Sequence, residues 1–315
     1  MSGSTDSNNL EVSRRRIADT RQLLEWLTIL AIFSMLVLAY GYFVEPRRLV
    51  TNVQEVKIPN LGPALDRFKI VAISDIHAGS NGVDEAKLRQ IVEEANRQDA
   101  DMIALLGDYV SQTGIRGADG KRALRMSVEN IAANLAGLRA KNGVFVVLGN
   151  HDDWHDNRAI AAAFRGLGYT VLDGGVAEIE RNGATLRVLG LKDHLQINNW
   201  EEFASEAKEL LADSEGKGDV IVLEHSPDIA EIITGDRLIS KDLKLLLAGH
   251  THGGQVWLPV LGRPIVPSSY GQKLAAGHVR EYGIDVFVTT GVGTSILPFR
   301  FMVPPEIAVL TLRPE

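Results

Sequence analysis

Cysteine is missing from the chain altogether, which removes disulfide frameworks, thiolate metal sites and cysteine nucleophiles from consideration. A basic excess is missing too: the formal net charge is −7, where a nucleic-acid binder would carry a basic face, so no nucleic-acid partner is expected. A phosphorylated substrate stays open, because bound cations can supply the positive field. There is no internal repeat or low-complexity tract, and no change of composition after Arg48 that calls for a second folded domain. The 315 residues suit one large domain or two small ones.

What is present starts with a polar stretch, residues 1–13, low in apolar content and expected to be disordered. With the arginines at 14, 15, 16 and 21 it makes a basic, disordered tail over residues 1–22. Residues 26–44 then run without a charge, closed by Glu45, Pro46, Arg47 and Arg48. As a helix this run spans about 28 Å, close to the hydrocarbon thickness of a bilayer. Trp26 at one end and Tyr40, Tyr42 and Phe43 at the other sit where an aromatic belt would. A clean small-x-small cleavage site is lacking, which argues against a removed signal peptide. The reading is a retained single-pass anchor of the cell (inner) membrane over residues 23–45. Four arginines before the span outweigh Arg47, Arg48 and Lys57 after it, which leans the soluble part towards the extracytoplasmic side and leaves the cytoplasmic side open.

Beyond the anchor, five short apolar runs each end one step before a side chain that binds metals. Residues 68–74 deliver Asp75, with His77 two positions on. Residues 102–107 deliver Asp108, and 144–149 deliver Asn150, followed by His151 and Asp152. Residues 220–224 deliver His225, and 243–249 deliver His250 and then His252. Runs of this length, rich in Val, Ile and Leu without alternation, suit parallel strands buried on both faces. Open α/β sheets bind ligands beyond the carboxyl ends of such strands, so the expectation is seven donors on one rim of one sheet.

The remaining pattern agrees with an α/β architecture. A linker and first strand occupy residues 46–64, and residues 84–96 and 126–138 have helical apolar spacing. Residues 114–120 read as a loop, and 157–164 as a short helix. Residues 177–189 read as a hairpin turning at Asn182-Gly183. Strand–helix alternation implies right-handed crossovers and a parallel sheet, while the C-terminal part is richer in short strands.

Three oxygen donors and four imidazoles are too many for one ion and match a pair of divalent metals sharing a carboxylate. Asp108 is the best bridge, since its strand should lie between those of Asp75 and Asn150. Such a pair holds a hydroxide that can attack phosphorus in line. His151 would project towards substrate and serve as general acid or transition-state stabiliser, with Asp152 orienting it.

In order and spacing, Asp75-Ile76-His77, Gly107-Asp108, Gly149-Asn150-His151-Asp152, His225 and Gly249-His250-Thr251-His252 resemble the calcineurin-like metallophosphoesterases, over essentially residues 65–315. The resemblance implies a four-layer αββα sandwich and a dinuclear site of Mn, Fe or Zn type. It also implies that Asp75, His77, Asp108 and His252 hold one ion, and Asp108, Asn150, His225 and His250 the other. Gly249-His250-Thr251-His252-Gly253-Gly254-Gln255 and residues 291–307 look like the membrane-anchored, YkuE-like bacterial branch. The expected function is therefore a membrane-tethered phosphodiesterase acting on a small-molecule or lipid-linked phosphate ester. Some relatives in the branch are linked to UDP-2,3-diacylglucosamine hydrolysis in lipid A synthesis. A phosphomonoesterase or protein phosphatase is the alternative, as is a metal-binding sensor. A monoester usually wants an extra arginine clamp, and none sits beside the motifs. One departure from the wider family is Tyr109-Val110-Ser111 after Asp108. Tyr109 and Arg300 are carried as candidate substrate contacts, and His155, His194 and His278 as ordinary surface histidines.

Overall fold

The structure, a computed structural model, describes residues 4–116 and 122–315, with side chains from Thr20 onward except at Arg116. Helix α1 (Ser4–Phe43) leads into β1 (Val50–Ile58), β2 (Lys69–Ile73), α2 (Glu85–Arg97) and β3 (Met102–Leu106). A two-stranded hairpin, β4 (Gln112–Arg116) and β5 (Arg122–Leu124), precedes α3 (Val128–Leu135) and β6 (Val144–Val147). Next come α4 (Asn150–His155), α5 (Asn157–Gly166), β7 (Thr170–Val171), β8 (Gly175–Arg181) and β9 (Ala184–Gly190). The chain closes with α6 (Trp200–Asp213), β10 (Val220–Leu223), α7 (Ile229–Ile232) and β11 (Leu243–Ala248), then β12 (Gly277–Glu281), β13 (Ile284–Val288) and β14 (Glu306–Pro314).

Two six-stranded sheets result, ordered β1-β14-β2-β3-β6-β7 and β12-β13-β11-β10-β9-β8. Alternation along each strand assigns its residues to different layers. Ile70, Ala72, Ala104, Leu106 and Val147 join Val188, Ile221, Leu223, Leu245 and Leu247 in a core between the sheets. Val71, Ile73, Ile103, Leu105 and Val146 point the other way, onto Leu88 and Ile91 of α2, Ile131 of α3 and Phe164 of α5. Val220, Val222, Leu246 and Val286 pack on Phe203, Ala207 and Leu211 of α6. The order helix–sheet–sheet–helix is the four-layer αββα sandwich, and a strand apolar on both faces is what such layering requires.

Three expectations change. The seven donors stand not on one rim but on adjoining rims of two sheets, because β2, β3 and β6 belong to the first and β10 and β11 to the second. Within residues 46–64 the first strand is β1, which pairs in parallel with β14 over its whole length, from Val50↔Glu306 to Ile58↔Pro314. The segment expected to be a disordered tail continues α1 from Ser4, since adding a residue to an existing helix is far easier than nucleating one; residues 1–3 lie outside the described part. Of the loop expected at 114–120, residues 114–116 form the end of β4 and 117–120 lie outside the described residues. From within α1 to the turn that follows it, Thr20–Arg47 is long and apolar enough to cross a membrane, and 6% of its most apolar window is buried.

Candidate metal centre

The loops after β2, β3, β6, β10 and β11 converge, and their backbone is held in an unusual shape. Asp75, His77, Asp108, His250 and His252 all have positive φ, between 42° and 67°. Few non-glycine residues adopt such angles, each at a cost of about 1–3 kcal/mol, and they gather at functional sites. Glycine would relieve the cost but removes the donor atom, so retention of carboxylate and imidazole here identifies the side chains as the purpose of the loops. Close approach is secured by the glycines that precede them: a Cβ at Gly149 would collide with the Asp108 carboxylate, and one at Gly249 with Ser74 Oγ.

Two groups of donors meet at Asp108. On one side His252 Nε2 stands 3.1 Å from His77 Nε2 and 3.3 Å from Asp75 Oδ1, with His77 Nε2 3.5 Å from Asp108 Oδ2. On the other, His225 Nε2 lies 3.2 Å from the same Asp108 Oδ2 and 3.2 Å from His250 Nδ1. Ligands held about 2.0–2.2 Å from a divalent ion stand roughly 3–3.5 Å from one another, so these spacings would suit two ions, one on either side of Asp108. Asp75 Oδ1 and Asn150 Oδ1 are buried without a hydrogen-bond partner. A buried oxygen left so costs about 1–3 kcal/mol, and a cation is the partner these two lack. The donor set fits two divalent ions.

Backbone carbonyls fix the imidazoles. His225 Nδ1 lies 2.8 Å from Leu106 O and His77 Nδ1 3.2 Å from Val110 O, which turns each Nε2 inward. Burial lowers His77 to about 3 and His250 to about 4, and takes His252 well below its usual value. All three present lone pairs at neutral pH, the form that coordinates. Burial lifts Asp75 to about 6. It would lift Asp108 as well, but His225, then His77 and His151, draw Asp108 well below the ordinary carboxylate range.

Asp152 does not orient His151. Its carboxylate is fully buried and accepts from the backbone amides of Asp108 (2.8 Å), Gly149 (3.0 Å), Tyr109 (2.9 Å) and Val110 (3.4 Å). Asp152 is thus the anchor that ties the β3 loop to the β6 loop. Burial, with Asp108 close by, pushes it up to about 7 against the pull of these amides. The partner of His151 is Gln112, whose Oε1 lies 2.7 Å from Nδ1 and whose Nε2 donates to His151 O at 2.6 Å. His151 lies near enough to His77 and Asp108 to join a metal-sized cluster with them, but its backbone N–H already holds Asp108 Oδ1 at 2.8 Å and its Nδ1 is engaged by Gln112.

Neither candidate substrate contact is reachable. Tyr109 is fully buried against Phe164, and its hydroxyl donates to Val147 O at 2.8 Å. Arg300 is also fully buried, its guanidinium donating to Gly293 O, Thr290 O and Val303 O at 2.6–3.1 Å. It buttresses the loop whose Gly293 N donates to Asp75 O at 2.6 Å, so it supports the centre from behind. His194 is no surface residue: its Nδ1 lies 3.3 Å from the buried Asp193, and its ring 6.2 Å from that of His250. His278 pairs with Asp285 at 2.7 Å, and His155 is the last residue of α4.

A cavity of about 1460 Å³ runs over the centre, lined by His77, Asp108, Asn150, His151, His250 and His252. Arg47, Arg122 and Arg125 also line it. The arginines that the motifs lack are brought in by the α1 end and the β4–β5 hairpin region.

Comparison with known proteins agrees with this geometry. Residues 68–254 match the family model of the calcineurin-like phosphoesterases. The chain is 29% identical over 279 residues to the uncharacterized metallophosphoesterase YkuE of Bacillus subtilis, covering 87% of this chain and 90% of that one. It is 27% identical over 248 residues to the phosphodiesterase YaeI of Escherichia coli, covering 78% and 82%. It is 26% identical over 295 residues to a transmembrane protein with metallophosphoesterase domain of Danio rerio, covering 91% of this chain and 62% of that one. The chain belongs to the calcineurin-like phosphoesterase family, in its YkuE-like branch, and is a metal-dependent phosphoric ester hydrolase that uses two divalent ions.

Proposed function

We propose that the chain is a membrane-tethered phosphodiesterase that cleaves a phosphate or pyrophosphate ester, small or lipid-linked, at the membrane surface. The observation that carries the reading is the pair of donor shells meeting at Asp108 Oδ2, open to a cavity large enough for a diester. Asp75, His77, Asp108 and His252 would hold one ion; Asp108, Asn150, His225 and His250 would hold the other. Bound there, two divalent cations supply Lewis-acid activation of the phosphoryl group and of the attacking water.

The chain's own residues do the rest. His151 faces the cavity with Nδ1–H donated to Gln112 Oε1, and in its imidazolium form, protonated at both nitrogens, it gives the Nε2 proton to the departing oxygen. Asp152 keeps the Asp108 loop in register with α4. Arg47, Arg122 and Arg125 offer charge to the part of the substrate beyond the scissile bond. Arg122 and Arg125 also favour a second reading, a phosphomonoesterase, whose substrate carries the additional charge such a clamp takes. Thr20–Arg47 tethers the domain to the cell membrane in a single pass.

The test uses the full chain in detergent with bis(p-nitrophenyl) phosphate and p-nitrophenyl phosphate. Chelation abolishes turnover, and Mn²⁺ restores it better than Mg²⁺ because imidazole suits the softer ion. The diester is the better substrate. A monoester preference supports the second reading, and turnover that survives complete metal removal contradicts both.

A further inference from the structure

We infer that two apolar loops, residues 256–266 and 295–302, dock into the headgroup region of the same bilayer that α1 enters, so that the mouth of the catalytic cavity opens at the membrane surface.

The loops are stitched to each other and to the foot of α1. Gln255 Nε2 donates to Leu297 O and Phe299 O at 2.7 and 3.0 Å, and Trp257 N donates to Phe301 O at 2.9 Å. Arg300 N donates to Gly41 O at 3.0 Å, the Phe301 ring meets Tyr40 edge-on, and Asn81 Nδ2 bonds both Tyr42 O and Pro298 O at 2.7 Å. The loops are therefore fixed beside the last turn of the apolar helix, at the level where a spanning helix leaves hydrocarbon for headgroups.

Their outward side chains are what an interface takes and water does not. Val260 is fully exposed, Ile296 is 84%, Leu261 67% and Ile265 64% exposed. Val260 tops a tight turn closed by mutual bonds between Leu258 and Gly262, and it has φ 74°. A β-branched residue is a true outlier there; folding alone gives no reason to place an exposed valine at that angle. Charge agrees with an anionic surface: in a chain of net charge −7, residues 251–280 and 286–305 contain no Asp or Glu. The cavity joins this face to the chemistry, being lined by Tyr42, Ile265, Ile296 and Leu297 as well as by His77 and His250. A lipid phosphodiester can thus reach the metals with its acyl chains still in the bilayer.

The inference rests on the tether proposed above, and the experiment separates the two. The chain has no cysteine, so Val260→Cys, Ile296→Cys and, as control on α6, Lys208→Cys each carry one environment-sensitive NBD label. The full chain is placed in nanodiscs containing phosphatidylglycerol, with and without brominated acyl chains. Labels at 260 and 296 are expected to emit at shorter wavelength than the label at 208 and to be quenched by the brominated lipid, with 208 unaffected. Aqueous emission at 260 and 296 in a chain that sits in the disc overturns the docking and leaves the tether intact. A blue shift without lipid quenching also overturns it, and points to a second copy of the chain. Failure to enter the discs at all removes the tether and the docking together.

Discussion

Replacing Asp152 by Asn separates an anchor from an orienter. Each carboxylate oxygen accepts two amides: Oδ2 takes Gly149 and Asp108, and Oδ1 takes Tyr109 and Val110. Whichever way Asn is turned, its NH₂ faces two buried N–H donors. The less costly choice gives up Tyr109 and the long Val110 bond. Losing two such bonds at about 1–3 kcal/mol each gives roughly 2–6 kcal/mol. With about 2–4 °C per kcal/mol for a large domain, the melting temperature falls by roughly 4–24 °C. The loop that relaxes carries Asp108, the atom both donor shells share, so metal content falls with stability. Calorimetry and elemental analysis on wild type and Asp152→Asn provide the readouts, with kcat/KM across diesters of rising leaving-group pKa. The activity loss should be similar at every leaving group. A variant with wild-type melting and metal content, but a penalty that grows with leaving-group pKa, would refute the anchor and restore Asp152 as the partner of His151.

Gln112→Ala should behave in the opposite way, keeping metal and stability while losing activity on the order of tenfold or more for alkoxide leaving groups and little for p-nitrophenolate; an equal loss at all leaving groups contradicts the orienting role. Away from the centre, the Tyr169 hydroxyl donates to Leu135 O at 2.6 Å, and burial pushes its pKa to about 12. Because the folded value is raised, this contribution is full below pH 10 and is lost as pH rises from 10 through about 12. Alkaline unfolding followed against Tyr169→Phe should show the wild type losing more stability than the variant across that window.

Much of the centre was legible because five apolar strands each lead to a donor and three of those donors follow glycine, a pattern that chance does not repeat five times. The helices were legible from spacing, such as Leu88, Ile91 and Ala95 along one face of α2. That the donors divide between two sheets was not, since the strands of both sheets are apolar on both faces and read alike. Side-chain direction within a loop was the second gap. Asp152 is adjacent to His151 in sequence, yet as the third residue of α4 it turns back onto free amides, as an acid in a first helical turn does. Gln112 reaches His151 only because β4 brings it there. Asp193 and His194 also follow a strand, β9, but the charged Lys192 intervenes and hides the pattern. Tyr109 and Arg300 looked accessible in loop-like sequence, and only tertiary packing buries them.

The most direct test of the account is metal content per chain in wild type, Asp108→Asn and His151→Ala, each loaded with Mn²⁺ and freed of excess. If Asp108 Oδ2 joins two shells and His151 belongs to neither, wild type and His151→Ala carry close to two ions, while Asp108→Asn falls well short of both. A wild type that holds a single ion, or a His151→Ala variant that loses metal as badly as Asp108→Asn, would contradict the dinuclear centre as drawn.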